Sequence, residues 1–372
     1  MTRHPSCNTV LRQRNRGVTL IELMVGLTIG LLSVVIISQV MVTAENQKRT
    51  TTSGSDAQIN GAQALETLQR DLRSSGYGLT GHPVGLGCQI KGSYSGMGLS
   101  PADAWLLAPV RIVQGADNAP DRIRVMMSDV KTYAVPFIVS EDHAAVGDKF
   151  VMRNDMTGAI ADGDMMLAIP GDFQTNSNAA VNWCTLFTAH PAPVGKNIYH
   201  VADGASAPWN ATNGFPATGY PAGSIVVNAG TFVNREYSIA GNQLQRVSFS
   251  TDKGAFGAPE IMFSQIVDLQ ATYGKETTGA KKGVVNVWEE TEPTTPAGWG
   301  QLVAVRVAVL ARSAQAEKDD VTTAPPVWYP DGVTAVSFKT EAIPEWKKYR
   351  YKVYESVIPL RNMLWQTKSE DE

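Results

Sequence analysis

Histidine and cysteine are scarce, five of the first and three of the second in 372 residues. The histidines (His4, His82, His143, His190, His200) are scattered and form no H-E-x-x-H and no pair at metal-ligand spacing. Each is expected on the surface or in a loop. No G-x-x-x-x-G-K-[ST] loop is present, which removes the P-loop nucleotide enzymes. The nearest approach to a G-x-S-x-G elbow, Gly92-Ser93-Tyr94-Ser95-Gly96, has Tyr94 where the nucleophile belongs. The run from Gly76 to Gly81 fits G-x-G-x-x-G by letter. A helical pattern precedes it and Pro83 follows, the reverse of a dinucleotide site. A basic excess is also missing: 32 Lys and Arg against 35 Asp and Glu leave a net charge of -3, so no nucleic-acid partner is expected. Asp155, Asp162 and Asp164 with Asn154 lack EF-hand spacing and read as solvated turns, with calcium the minor option. Glu289, Glu290 and Glu292 beside Trp288 read as a soluble loop edge. The expectation is no catalytic residues, no metal and no cofactor.

What is present is concentrated at the N-terminus. The first 17 residues hold Arg3, Arg12, Arg14 and Arg16 and no acid. Residues 23–44, LMVGLTIGLLSVVIISQVMVTA, then carry no charge at all. As a helix that run reaches about 33 Å, enough to cross a bilayer core of about 30 Å. The arginines before it set the orientation, with the N-terminus cytoplasmic and Glu45 onward outside; Lys48 and Arg49 weaken the asymmetry only a little. Glu22, at the edge of the span, breaks the apolar rule. A carboxylate entering hydrocarbon is costly unless it finds a cation or protonates. The plain alternative is a solvated carboxylate at headgroup level.

The string RGVTLIELMVGLTI resembles the prepilin-type cleavage and methylation motif of type IV pilins and type II secretion pseudopilins. The resemblance implies cleavage between Gly17 and Val18 and N-methylation of Val18. Glu22 becomes the fifth mature residue, placed to pair with the amine of a neighbouring subunit. The family most often has Phe where this chain has Val18. Inside a packed apolar filament such a pair is worth far more than in water, and it rewards one axial register.

Residues 45–78 read as a continuation of the helix with a loose break at Thr50-Thr51-Thr52-Ser53-Gly54-Ser55. Beyond it Ile59, Ala62, Leu65, Leu68 and Leu72 form the expected core-facing stripe, and Gly76 and Gly78 end the helix. Residues 85–372 read as β-rich. Val303, Val305, Val307 and Val309 alternate with small or polar residues, and 232–239 and 243–249 flank a Gly241-Asn242 turn. Further strands are expected within 105–113, 122–127, 133–139, 150–153, 165–169, 261–273 and 350–358. Gly- and Pro-rich loops are expected at 171–180, 203–223, 274–300 and 313–332.

The string Leu65-Glu-Thr-Leu-Gln-Arg70-Asp71-Leu-Arg73-Ser-Ser-Gly76-Tyr77-Gly78 is similar to the end of this helix in the PilW group of minor pilins. Tyr237-Ser-Ile239, Leu244-Gln-Arg246, the run from Ile266 to Gly274, Val303 to Ser313 and the closing run from Tyr351 to Asn362 follow the PilW order. Residues 84–230 match nothing that can be named. The resemblance implies an α+β, type IV pilin-like fold with a long N-terminal helix and a large β-rich periplasmic head. It divides the chain into a leader (1–17), a transmembrane helix (18–44), an amphipathic extension (45–78) and the head (79–372). It implies a non-enzymatic minor pilin that helps initiate or cap the type IV pilus, in adhesion or twitching motility. The alternatives are a large minor pseudopilin of type II secretion, or a membrane-anchored periplasmic adhesin or enzyme. Expected partners are other minor pilins, the major pilin, the prepilin peptidase and the inner membrane. The expected location is single-pass in that membrane, with incorporation in the pilus to follow. Cys7 leaves with the leader, so Cys88 and Cys184 remain in an oxidising compartment and are expected to pair. Two separately buried thiols are the alternative, given Trp183 beside Cys184.

Overall fold

A computed structural model describes residues 17–99, 105–130, 135–210, 214–279 and 283–366. Most of the leader, with Cys7 and His4, lies outside the described residues, as does the start of the strand expected at 133–139. The chain divides into two compact units, Met1–Thr52 and Ser53–Glu372. Helix α1 (Leu20–Ser74) begins in the first and ends in the second. In the first unit, Leu20–Glu45 is 26 residues long and apolar enough to cross a membrane, and none of it is buried by protein.

In the second unit the end of α1 is a core element. Its buried face is Ala57, Gly61, Ala64, Leu65, Leu68 and Leu72, at helical spacing. This corrects two expectations. Thr50–Ser55 are helical rather than a break, and Ile59 and Ala62 point away from the core, Ile59 being 51% exposed. Small residues explain the rotation. No Cβ fits at Gly61 against the Tyr354 ring and Ala311, so the helix lies close to the sheet along its Ala57–Gly61–Ala64 side. Choosing the bulkiest stripe favoured Ile59; the packing chose the narrowest. Gly76, at φ 76°, turns the chain out of the helix in the left-handed region.

Three larger sheets and two two-stranded ribbons, Lys149–Val151 with Asn197–Tyr199 and Val327–Trp328 with Val336–Ser337, make up the rest of the described β-structure. The first orders β1 (Gln89–Tyr94), β5 (Cys184–Thr188), β4 (Met165–Ile169) and β6 (Ile225–Gly230), and the short strands Met97–Gly98, Trp105–Leu106 and Phe137–Ile138 extend it. In the second, β8 (Gln243–Ser250), β7 (Val233–Ala240), β3 (Arg122–Met127) and β2 (Val110–Val113) lie side by side, with β9 (Glu260–Ser264) and Ala255–Phe256 on β8. The third runs Val287–Glu289, β10 (Ile266–Lys275), β11 (Leu302–Arg312) and β12 (Tyr351–Pro359). The hairpin β7–β8 turns at Gly241-Asn242 as the sequence predicts, with Ala240 opposite Gln243. β1, β5 and β6 lie within 84–230 and are not among the expected strands.

The main core joins α1 to the second and third sheets through Leu68, Leu72, Ile123, Val125, Tyr237, Leu269, Val305, Val307 and Val309. β11 alternates as expected yet is buried on both faces. Its Ala308 and Leu310 meet Trp328 and Phe338, which the segment after β11 brings over the sheet. A second core around the disulfide and Trp105 fills one face of the first sheet, and a third, with Phe150, Phe187, Met152 and Tyr220, fills the other.

Candidate functional site

The processing motif sits where an extended chain becomes a helix. Gly17, Val18 and Thr19 precede α1, and Val18 is 68% exposed. Nothing lies within 4 Å of where a Gly17 side chain would start. Thr19 acts as N-cap: its hydroxyl accepts the Glu22 N–H at 3.3 Å and its carbonyl the Leu23 N–H at 3.1 Å. Thr19 and Glu22 stand three apart, the spacing of a capping box, and a carboxylate in the first turn complements the helix N-terminus. Glu22 is exposed and makes no ion pair among the described residues. Gly17, Val18 and Glu22 are thus all exposed at the start of the helix.

The other end of α1 ties the motif-bearing segments together. The Asp71 carboxylate accepts from Arg235 Nη1 at 2.9 Å and from the Tyr237 hydroxyl at 2.7 Å, both on β7. Burial, then the neighbouring carboxylate, pushes the Tyr237 phenol well above its ordinary range, so it stays a donor. Asn362, just past β12, donates to the carbonyls of Ser75 at 2.8 Å and Ser74 at 3.3 Å, satisfying the helix end. The Gly76 N–H reaches the Met126 carbonyl at 2.7 Å on β3. The Arg70-Asp71-Leu-Arg73 string, the Tyr237 strand and the closing Leu360-Arg361-Asn362 are thus one structural joint. Letters distant in sequence meet there.

Cys88 and Cys184 are bonded, with Cα atoms 5.9 Å apart. They sit where β1 and β5 run parallel, Ile90 opposite Cys184. Trp183 turns aside: its indole N–H donates to the Gly214 carbonyl at 3.2 Å and Lys91 lies over its ring.

The histidines correct the sequence reading. His143 and His200 are buried and face each other, Nε2 to Nε2 at 2.8 Å, among Phe150, Phe187, Phe215 and Tyr220. Burial holds His143 down at about 4 and His200 at about 3, with the neighbouring ring adding to the second. Their separation of 57 residues hid them, and only the alignment of the segments around β4–β6 brings them together. His190 takes Asp162 at 2.9 Å on one ring nitrogen and Asp203 at 3.4 Å on the other. Asp155 caps the Thr157 N–H at 2.8 Å, while Asp164 holds the Ala161 N–H and the Asn228 amide. These carboxylates serve separate turns. Among the described residues no group of three His, Cys, Asp or Glu is placed to hold a metal. Glu292 pairs with Arg111 at 2.7 Å and Glu289 with Lys275, joining that acidic edge to the sheets. Tyr94 of the failed elbow lies on β1 and donates to the Asp252 carbonyl.

An N-capped apolar helix with an exposed Gly17-Val18 junction precedes a large β-rich unit in the chain. The model of the type IV pilus-assembly protein W family matches residues 232–362, and that of the prokaryotic N-terminal methylation motif matches residues 12–38. No curated protein matches the chain. Among solved structures it is similar to a type IV-like pilin of Thermus thermophilus, at 11% identity and a TM-score of 0.24 over 36% of this chain and 69% of that one.

Proposed function

We propose that the chain is a minor pilin: a non-enzymatic, membrane-anchored subunit that helps initiate or cap a type IV pilus together with other minor pilins and the major pilin. One observation carries the reading. The methylation motif and the PilW signature occur in one chain, the first on an open junction before an apolar helix and the second on the sheets that receive the end of that helix. In this reading the prepilin peptidase removes residues 1–17, Val18 becomes N-methylated, residues 18–44 span the inner membrane, 45–78 extend the helix, and 79–372 form a periplasmic head. Glu22 then neutralises a neighbouring subunit's terminal amine in the apolar assembly.

Mass spectrometry of the N-terminal peptide tests it. N-methyl-Val18 is expected, and an intact leader in cells with an active prepilin peptidase overturns it. Glu22→Ala and Glu22→Gln should both be processed and inserted normally but fail to support piliation. Wild-type piliation in both leaves Glu22 as a helix cap only. Recovery of the processed chain with secretion subunits instead of pilus subunits would favour the pseudopilin reading.

A further inference from the structure

The strand that closes the third sheet has an open edge. β12 pairs with β11 from Pro359 opposite Ala304 to Tyr351 opposite Arg312. At its two ends the ladder is fixed by Ser313 N–H donating to the Arg350 carbonyl at 2.8 Å and Leu360 N–H donating to the Val303 carbonyl at 2.9 Å. Bonding to β11 therefore falls on the even-numbered residues. Tyr351, Val353, Glu355, Val357 and Pro359 turn their backbone groups outward. Among the described residues nothing accepts from the N–H groups of Val353, Glu355 or Val357.

Two other sheet margins are closed. Ile112 on β2 donates its N–H to the Tyr273 hydroxyl at 2.6 Å, and that hydroxyl reaches the Ile112 carbonyl at 3.4 Å. Beside Phe137–Ile138, Ser140 N–H donates to the Val151 carbonyl at 2.8 Å and Arg153 N–H to the Ile138 carbonyl at 2.9 Å. The far side of the third sheet ends in the three-residue strand Val287–Glu289. A nine-residue strand with its outward edge open is a template for one more strand.

The charges on β12 select the occupant. Glu355 is already paired with Arg306 at 2.8 Å. Lys352 is exposed and makes no ion pair among the described residues. Residues facing one another across an antiparallel pair lie on the same side of the sheet, so a strand added to this edge in register meets Lys352 from its own even-side positions. In a second copy of β12 those positions are Lys352, Tyr354, Ser356 and Ile358, none of them acidic. No two-fold antiparallel register of β12 with a second β12 gives Lys352 a counter-charge. Pro359, with no N–H, ends the useful edge at Val357.

We infer that β12 receives an extended strand from a different prepilin-type subunit, added to its outward edge with a carboxylate opposite Lys352. The inference rests on the proposed pilus role, which supplies neighbours anchored in the same membrane and so held at high effective concentration.

The test uses the full-length chain in its own cells. A benzophenone side chain at Lys352 is expected to cross-link to a peptide from another protein bearing an N-methylated prepilin N-terminus. Val357→Pro removes an outward N–H and spares the ladder to β11, so it should cut that adduct about tenfold, the scale of a lost interface hydrogen bond. Thermal unfolding and the Cys88–Cys184 bond should not change. Ser356→Pro, which breaks the bonding to β11, should lower the unfolding temperature instead. If Val357→Pro also unfolds the head, charge exchange decides. Lys352→Glu should abolish co-purification of the cross-linked subunit, and Lys at that subunit's matching acid should restore it. An undiminished adduct with Val357→Pro, an adduct with a second copy, or failure of the exchange overturns the strand. If the leader is cleaved and Glu22 is required while these fail, only the strand falls. An intact leader removes the pilus role itself.

Discussion

The two halves of the head are held together differently. Where α1 meets the second and third sheets, strands of eight to eleven residues stack Leu, Val and Ile against a helix, with a polar joint around Asp71. The first sheet has, among the described residues, only the three-residue helical turn Pro83–Gly85 lying against it, at Ile169. Its longer strands run five to six residues, and a disulfide, stacked aromatics and a buried histidine pair do the joining. The difference teaches where each half is vulnerable: the helix-bearing half to lost volume, the other to reduction and acid. It also matches the family signal, which covers residues 232–362 and thus falls in the helix-bearing half.

The sharpest way to break the comparison is at the disulfide. The bond closes 96 residues, so the Cys88→Ser/Cys184→Ser double variant should lose up to about 4–5 kcal/mol in the loop-entropy model. The damage should appear as protease cutting within 84–230. Equal cutting across 232–362 would show that the halves unfold as one. Maleimide labelling of the denatured, unreduced mature chain should find no free thiol.

Leu68→Ala tests the other half. The side chain is fully buried in the main core, and its truncation should cost about 2–5 kcal/mol by thermal or urea unfolding. Asp71→Ala should cost about 2–3 kcal/mol, because it strands a buried phenol and leaves Arg235 unmatched. Asp71→Asn, which keeps an acceptor, should recover part of that loss. If Asp71→Ala is silent, the joint is not what seats the helix.

Acid should separate the halves again. His143 and His200 titrate below their unfolded value near 6.5, so the folded chain binds fewer protons than the unfolded one across that interval. Their contribution is complete above pH 6.5 and is lost as pH falls toward about 4 and about 3, by about 1.4 kcal/mol per histidine per pH unit. Replacing both by Leu should flatten the acid limb of the stability curve. An unchanged limb would place the acid-sensitive groups elsewhere. The smallest effect belongs to Ile59→Ser, which should change stability by less than about 0.5 kcal/mol, since that side chain points out of the core.

Much of the molecule was written locally. The apolar span, the end of α1 at Gly76 and the β7–β8 hairpin each depend on nearby residues, and the sequence alone determined them. Pairing of Cys88 with Cys184 was also legible, through compartment and count. Three things waited for the tertiary structure. Which side of α1 faces inward was decided by the close approach at Gly61, because a helix packs on its least obstructed ridge. The burial of both faces of β11 was decided by the segment that folds over it, which a period of two cannot announce. And His143 met His200 only because separate segments converge on one core: hydrophobic burial orders such segments by shape and volume, and neither leaves a mark at the histidines themselves.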